Sequence, residues 1–132
     1  MRAVALCSGG LDSLVSTWDV AQHHELVAVL TAHYGQRAAI REIETGTWIA
    51  QLLRTRFEIV ELHWLGEISQ DALTTKTAAV PKPSAEELDD PQAAQRRLNQ
   101  IWVANRNGVL INVAAAYAEA LGADIIVFGL NR

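Results

Sequence analysis

Apolar and polar positions along the chain alternate between a period near two and a period near 3.6. Residues 2–7 (RAVALC) form a short apolar run broken by serine and two glycines, as a buried parallel strand would be. From 11 to about 23 the spacing turns helical, with Leu14, Val15, Trp18 and Ala21 falling three and four residues apart. Residues 26–30 (LVAVL) predict a second buried strand that runs out into Thr31-Ala32-His33-Tyr34-Gly35. A long amphipathic helix follows from about 38 to 54, with Ile40, Ile43, Ala50 and Leu53 on its apolar face. Residues 57–62 (FEIVEL) alternate cleanly and predict a third strand.

The pattern then lapses. Residues 81–100 hold all three prolines among mixed charges, and read as a surface excursion that is mobile or ordered only over a ligand. From 109 to 121 the chain is apolar almost all round and rich in alanine, which predicts a helix packed on two sides and ended by Gly122 at the C′ position. Residues 123–129 (ADIIVFG) predict the last strand. The alternating order implies one α/β domain over 1–132, doubly wound, with a mostly parallel sheet, helices on both faces and right-handed crossovers.

In such a sheet, ligands bind beyond the C-terminal ends of the strands. Ser8-Gly9-Gly10-Leu11-Asp12-Ser13 stands at that end of the first strand and opens the first helix. Glycines admit a phosphate close to the backbone, and successive N–H groups at a helix N-terminus favour negative charge. Ser8 and Ser13 add hydroxyls. Asp12 repels phosphate, so it implies either a Mg²⁺ ion between carboxylate and phosphates or a cap on the loop's backbone N–H groups. A Walker loop is excluded, since no lysine precedes Lys76, and the dinucleotide fingerprint lacks its third glycine. A plain serine–glycine turn is the competing reading, and the strand–loop–helix context favours the phosphate cradle.

Composition narrows the partners. With 11 basic against 15 acidic residues the net charge is −4, which speaks against a nucleic-acid-coating surface. The single cysteine, Cys7, allows no internal disulfide and no multi-cysteine zinc site, and fits a reducing cytoplasm. No apolar run has the length of a signal-peptide core or a membrane span, so no membrane partner is expected.

The sequence SGGLDS after an apolar strand resembles the PP-loop signature of N-type ATP pyrophosphatases, which adenylate a substrate and release pyrophosphate. Two more blocks, HYGQR (33–37) and residues 102–132, together with the loop, resemble the 7-cyano-7-deazaguanine synthase family of queuosine and archaeosine precursor synthesis. The resemblance implies an adenine nucleotide alpha hydrolase-like, Rossmann-like fold. It also implies an ATP-dependent carbon–nitrogen ligase that turns 7-carboxy-7-deazaguanine and ammonia into the nitrile through an adenylated acid and an amide. ATP and Mg²⁺ are the expected cofactors and a homodimer the expected assembly. The family's C-terminal zinc segment, with four cysteines, has no counterpart here, so the expectation is an N-terminal fragment, catalytically incomplete by itself. A PP-loop enzyme acting on a tRNA base or another acid, and a non-catalytic nucleotide-binding module, remain the alternatives.

The candidate catalytic residues are Asp12, Arg37 and Arg106, with Asp12 also the candidate Mg²⁺ ligand. Arg37 lies past strand two, placed to pair with a phosphate or carboxylate, or else as a surface arginine at a helix start. Arg106 precedes the alanine-rich helix, with Asn105 or Asn107 as possible helix caps. The candidate nucleotide-binding residues are Cys7, Ser8, Gly9, Gly10, Leu11, Asp12, Ser13 and Gly129. The family usually has an acidic residue in place of His33, and often proline or glycine in place of Ala104 and Asn105. Trp18 and Trp48 are expected in helix–sheet packing. His23, His24 and His63 show no ligand spacing, and Cys7 is expected to be a small buried residue rather than a nucleophile.

Overall fold

A computed structural model describes residues 1–69, 90–92 and 103–129. Four parallel strands, β1 (Arg2–Leu6), β2 (Glu25–His33), β3 (Arg56–Glu61) and β4 (Ile125–Phe128), form one sheet in the order β3-β2-β1-β4. Helix α1 (Leu11–His23) links β1 to β2, and α2 (Ala39–Leu52) links β2 to β3. A short helix that the residue pattern did not predict, α3 (His63–Ser69), follows β3; α4 (Arg106–Leu121) leads into β4. All four expected strands and the three expected longer helices are present, with α4 starting three residues before the expected 109. Of the expected excursion over 81–100, only 90–92 lie within the described residues.

The two central strands owe their place to their composition. In β1 every residue after Arg2 is buried, and in β2 the run from Ala28 to Ala32 is buried. Runs without polar alternation need cover on both faces. Val4, Leu6, Ala28 and Leu30 pack against Leu65, Leu110, Ala114 and Ala118 on one face. Cys7 and Val29 pack against Ile49, Ala50 and Leu14 on the other. So α1 and α2 cover one face of the sheet, and α3 and α4 the other.

Both tryptophans expected in the packing stand at the surface instead, Trp18 47% and Trp48 56% exposed. The helices are rolled so that smaller residues meet the sheet. In α1 these are Ser13, Thr17 and Val20, with the Thr17 hydroxyl donating to Ser13 O at 2.7 Å, so burial leaves it satisfied. In α2 they are Ala39, Gly46, Ile49 and Ala50. A Cβ at Gly46 would strike the Thr31 hydroxyl and come within 2.7 Å of the Phe57 ring. That approach brings the helix axis close to the sheet and turns Trp48 and Ile40 outward.

Helix α4 also differs from expectation. Leu110, Ala114 and Ala118 bury one stripe, while Ile111, Asn112, Ala115 and Ala116 are exposed. Alanine favours helix through backbone propensity and demands no burial, so an alanine-rich helix needs no second packing partner. Gly122 ends it as expected, in a left-handed conformation.

Candidate nucleotide-binding site

The loop between β1 and α1 is built around one buried hydroxyl. Ser13 Oγ donates to Gly10 O at 2.9 Å and accepts from Ser8 N at 3.1 Å, with Ser8 Oγ at 3.2 Å and Cys7 Sγ at 3.8 Å. Ser13 is 2% exposed, so its hydroxyl closes the loop from within. Behind it, Thr31 Oγ1 donates to Cys7 O at 2.9 Å and Cys7 N donates to Leu30 O at 2.8 Å, tying the loop's root to β2. Gly9 has φ +78°, a backbone state that residues with side chains rarely adopt, and a Cβ there would come within 3.2 Å of the Glu42 α-carbon.

At the mouth, Ser8, Gly10, Leu11 and Asp12 are exposed. The first-turn N–H groups of a helix have no intrahelical acceptor, so those of α1 point to whatever occupies the loop. The N-cap of α1 is Gly10, which has no side-chain cap, and Asp12 stands in the first turn with its carboxylate outward. Of the two readings of Asp12, the cap is not made. The carboxylate is left available to a cation.

Gly129, just past β4, completes the loop from the other side. A Cβ there would run into the backbone of Asp12 and Ser13. Only a glycine lets β4 end against the first turn of α1. Beside it opens a cleft of about 230 Å³ lined by Leu6, Cys7, Ser8, Ala32, Tyr34, Glu42, Arg106, Asn107, Leu110, Phe128 and Gly129. The structure thus gathers Cys7, Ser8, Gly129 and Arg106 in one wall. Arg37 is exposed and does not line the cleft.

Arg106 reaches the cleft through a special backbone. Asn105 has φ +45°, the left-handed region, and its side chain makes no cap bond to α4, so of the two possible caps Asn105 does not serve as one. Asparagine tolerates this conformation better than most residues with a side chain. A glycine would adopt it freely.

Two polar residues of the site were not anticipated. Gln36 is 6% exposed; it accepts from Tyr34 N at 2.9 Å and donates to Ala32 O at 2.8 Å and to Glu42 Oε2 at 2.6 Å. Glu42 sits in the sheet-facing stripe of α2, between Ala39 and Gly46. A lone carboxylate within a stripe of small residues is the sequence signal that would have found it. Burial raises its pKa above the ordinary 4.5, while the Gln36 bond, Arg106 and His33 pull it back.

That shift has a sign. The folded protein binds this proton more tightly than the unfolded chain, so Glu42 favours folding most below the ordinary value and loses that contribution as pH rises through its raised pKa. Glu42→Gln keeps an acceptor for Gln36 and removes the charge. It is expected to stabilise the protein at pH 7.5, with the gain shrinking towards pH 4, as read by urea denaturation at both values. A variant less stable than wild type at pH 7.5, or a difference unchanged with pH, would refute this.

Comparison with known proteins places these features in context. The family model for "Queuosine biosynthesis protein QueC" matches residues 2–132. A 7-cyano-7-deazaguanine synthase of Bdellovibrio bacteriovorus is 44% identical over 131 residues, 98% of this chain and 57% of the relative. One from Desulforudis audaxviator is 46% identical over 132 residues, all of this chain and 60% of the relative. The archaeal counterpart from Methanosarcina mazei is 37% identical over 134 residues, 99% of this chain and 58% of the relative. The chain therefore spans less than two thirds of the length of these curated relatives.

Proposed function

The chain belongs to the QueC family of queuosine biosynthesis proteins, and we propose that it is the ATP-binding part of a 7-cyano-7-deazaguanine synthase. The observation that carries this is the Ser8–Ser13 loop, closed by one buried hydroxyl and set at a strand–helix junction beside a cleft that Arg106 lines. Its amides would hold the phosphates of ATP, and the exposed Asp12 would hold the accompanying Mg²⁺. Ligand pockets commonly run to roughly 300–1,000 Å³, so the smaller cleft here would enclose part of the nucleotide and leave the phosphates along the loop.

In the proposed reaction a carboxylate oxygen of 7-carboxy-7-deazaguanine attacks the α-phosphorus of ATP and pyrophosphate leaves. Ammonia then displaces AMP to give the amide. The amide oxygen attacks the α-phosphorus of a second ATP, and a second pyrophosphate leaves. Loss of AMP with that oxygen, and of the two nitrogen-bound protons, leaves the nitrile. The part of this chain is to fix the α-phosphate for attack and to offset negative charge with Arg106. The four-thiolate zinc site implied by the resemblance does not fit this chain, whose only cysteine is the buried Cys7. The partners are small molecules; a net charge of −4 gives no electrostatic footing for tRNA. No described helix is long and apolar enough to cross a membrane. The resemblance to the synthase family is what supports a cytoplasmic homodimer.

Calorimetric titration with ATP tests the reading. Wild type is expected to bind more tightly with Mg²⁺ than without, and Asp12→Ala to lose that dependence. Asp19→Ala, on the exposed side of the same helix, is the control. Equal behaviour of the two variants would remove Asp12 from the site, and failure of wild type to bind ATP would remove the loop with it.

A further inference from the structure

At the C-terminal ends of β2 and β3 three side chains converge, one of which, His63, the residue spacing had set aside. His33 ends β2, Glu61 ends β3 and His63 opens α3. His33 and Glu61 are direct partners in the parallel register, and Leu62 N donates to His33 O at 2.7 Å, so the backbone beneath the cluster is fixed by sheet hydrogen bonds. Glu61 Oε2 lies 3.3 Å from His33 Nδ1 and 2.6 Å from His63 Nε2. The two imidazoles meet edge to face, 4.8 Å between centroids. One ligand atom from each of the three residues lies within 4.8 Å of the other two.

We propose that His33, Glu61 and His63 form a binding site for a divalent transition-metal ion, with Zn²⁺ the best fit. The two imidazoles are borderline donors that suit zinc, cobalt and nickel better than magnesium or calcium, and zinc readily takes a carboxylate beside them. Tetrahedral zinc holds such ligands at about 2.0–2.2 Å, which sets ligand atoms about 3.3 Å apart. The His33–Glu61 separation already matches. The His63–Glu61 contact opens by well under an ångström, and both side chains are more than half exposed and free to make that move. Three protein ligands leave a fourth position for water or a substrate atom, the pattern of an open rather than a closed site. The site shares no ligand with the four-cysteine zinc site implied by the family resemblance, and it does not depend on ATP binding.

The whole chain, stripped with a chelator and dialysed, is titrated with Zn²⁺ by calorimetry and with Co²⁺ by visible absorption. One equivalent of Zn²⁺ is expected, with Co²⁺ giving the strong d–d bands of a low-coordinate site. Loss of a residue that merely orients a metal ligand costs about 10–100-fold in affinity, so loss of a ligand should cost at least tenfold. His63→Ala and Glu61→Gln should each weaken Zn²⁺ by that much and abolish the cobalt bands. His23→Ala, whose ring pairs with Asp19 on α1, should change neither. Both test positions are exposed, and circular dichroism confirms that the variants fold. Failure of wild type to take up one equivalent, or affinity unchanged in both variants, would overturn the proposal and leave a carboxylate-bridged histidine pair.

Discussion

Arg106→Ala is expected to weaken ATP binding tenfold to more than a hundredfold. Hydrogen bonds to charged groups are worth about 1.5–3 kcal/mol, and Arg106 is the arginine that lines the cleft among the described residues. It is also one of the groups that pull the pKa of Glu42 down, so its removal should push that carboxyl further up. Two readouts thus bear on one residue: nucleotide affinity by calorimetry, and the pH dependence of stability, which should steepen above the ordinary carboxylate range. Arg37→Ala should cost less, because Arg37 is exposed and off the cleft wall. If the two variants lose ATP equally, the cleft does not discriminate between the arginines and the assignment of Arg106 fails.

Gly129→Ala is the second. Its added methyl has no free space, because the backbone of Asp12 and Ser13 already occupies that position. Overpacking of this kind costs about 1–3 kcal/mol, and the obstacle is main chain, which cannot rotate away as a side chain can. Either β4 withdraws or the first turn of α1 shifts. Both disturb the Ser13 hydroxyl network that closes the loop. Stability by urea denaturation should fall by that amount, and ATP affinity should drop with it even though the alanine adds no charge. Gly35→Ala is the matched control for added volume, since nothing lies within 4 Å of a Cβ there, although its φ of +89° makes some strain of its own. An unchanged affinity in Gly129→Ala would mean that the loop is not held from the β4 side.

Much of this was legible in the residues themselves. Short apolar runs bounded by glycine and polar residues read as strands of a covered sheet. So β1, β2 and β4 and their alternation with helices followed from residues 2–7, 26–30 and 123–129, although β4 is only half-buried at the sheet edge. The loop was equally legible, because the joint demand for glycine at a positive φ and for small hydroxyl residues at a helix start is met by few short sequences. What the chain could not disclose one-dimensionally was the roll of each helix. Apolarity placed Trp18 and Trp48 in the packing, whereas close approach at Gly46 and the hydroxyl bonds of Ser13 and Thr17 selected other faces, and the tryptophans were left in solvent.

The polar centre of the site was decided in the same way, by distance across the fold. Gln36 meets Glu42 through a turn, and Glu42 comes under the influence of Arg106 only because α4 crosses the opposite face of the sheet to the same strand ends. His33, Glu61 and His63 lie up to 30 positions apart in the chain and share no spacing rule, yet parallel register puts the first two side by side and the start of α3 brings the third to them. Hydrophobic pattern and turn chemistry are local properties and are written into neighbouring residues. Charge neighbourhoods and ligand clusters are properties of strand register and helix crossing, and arise only when the sheet has formed.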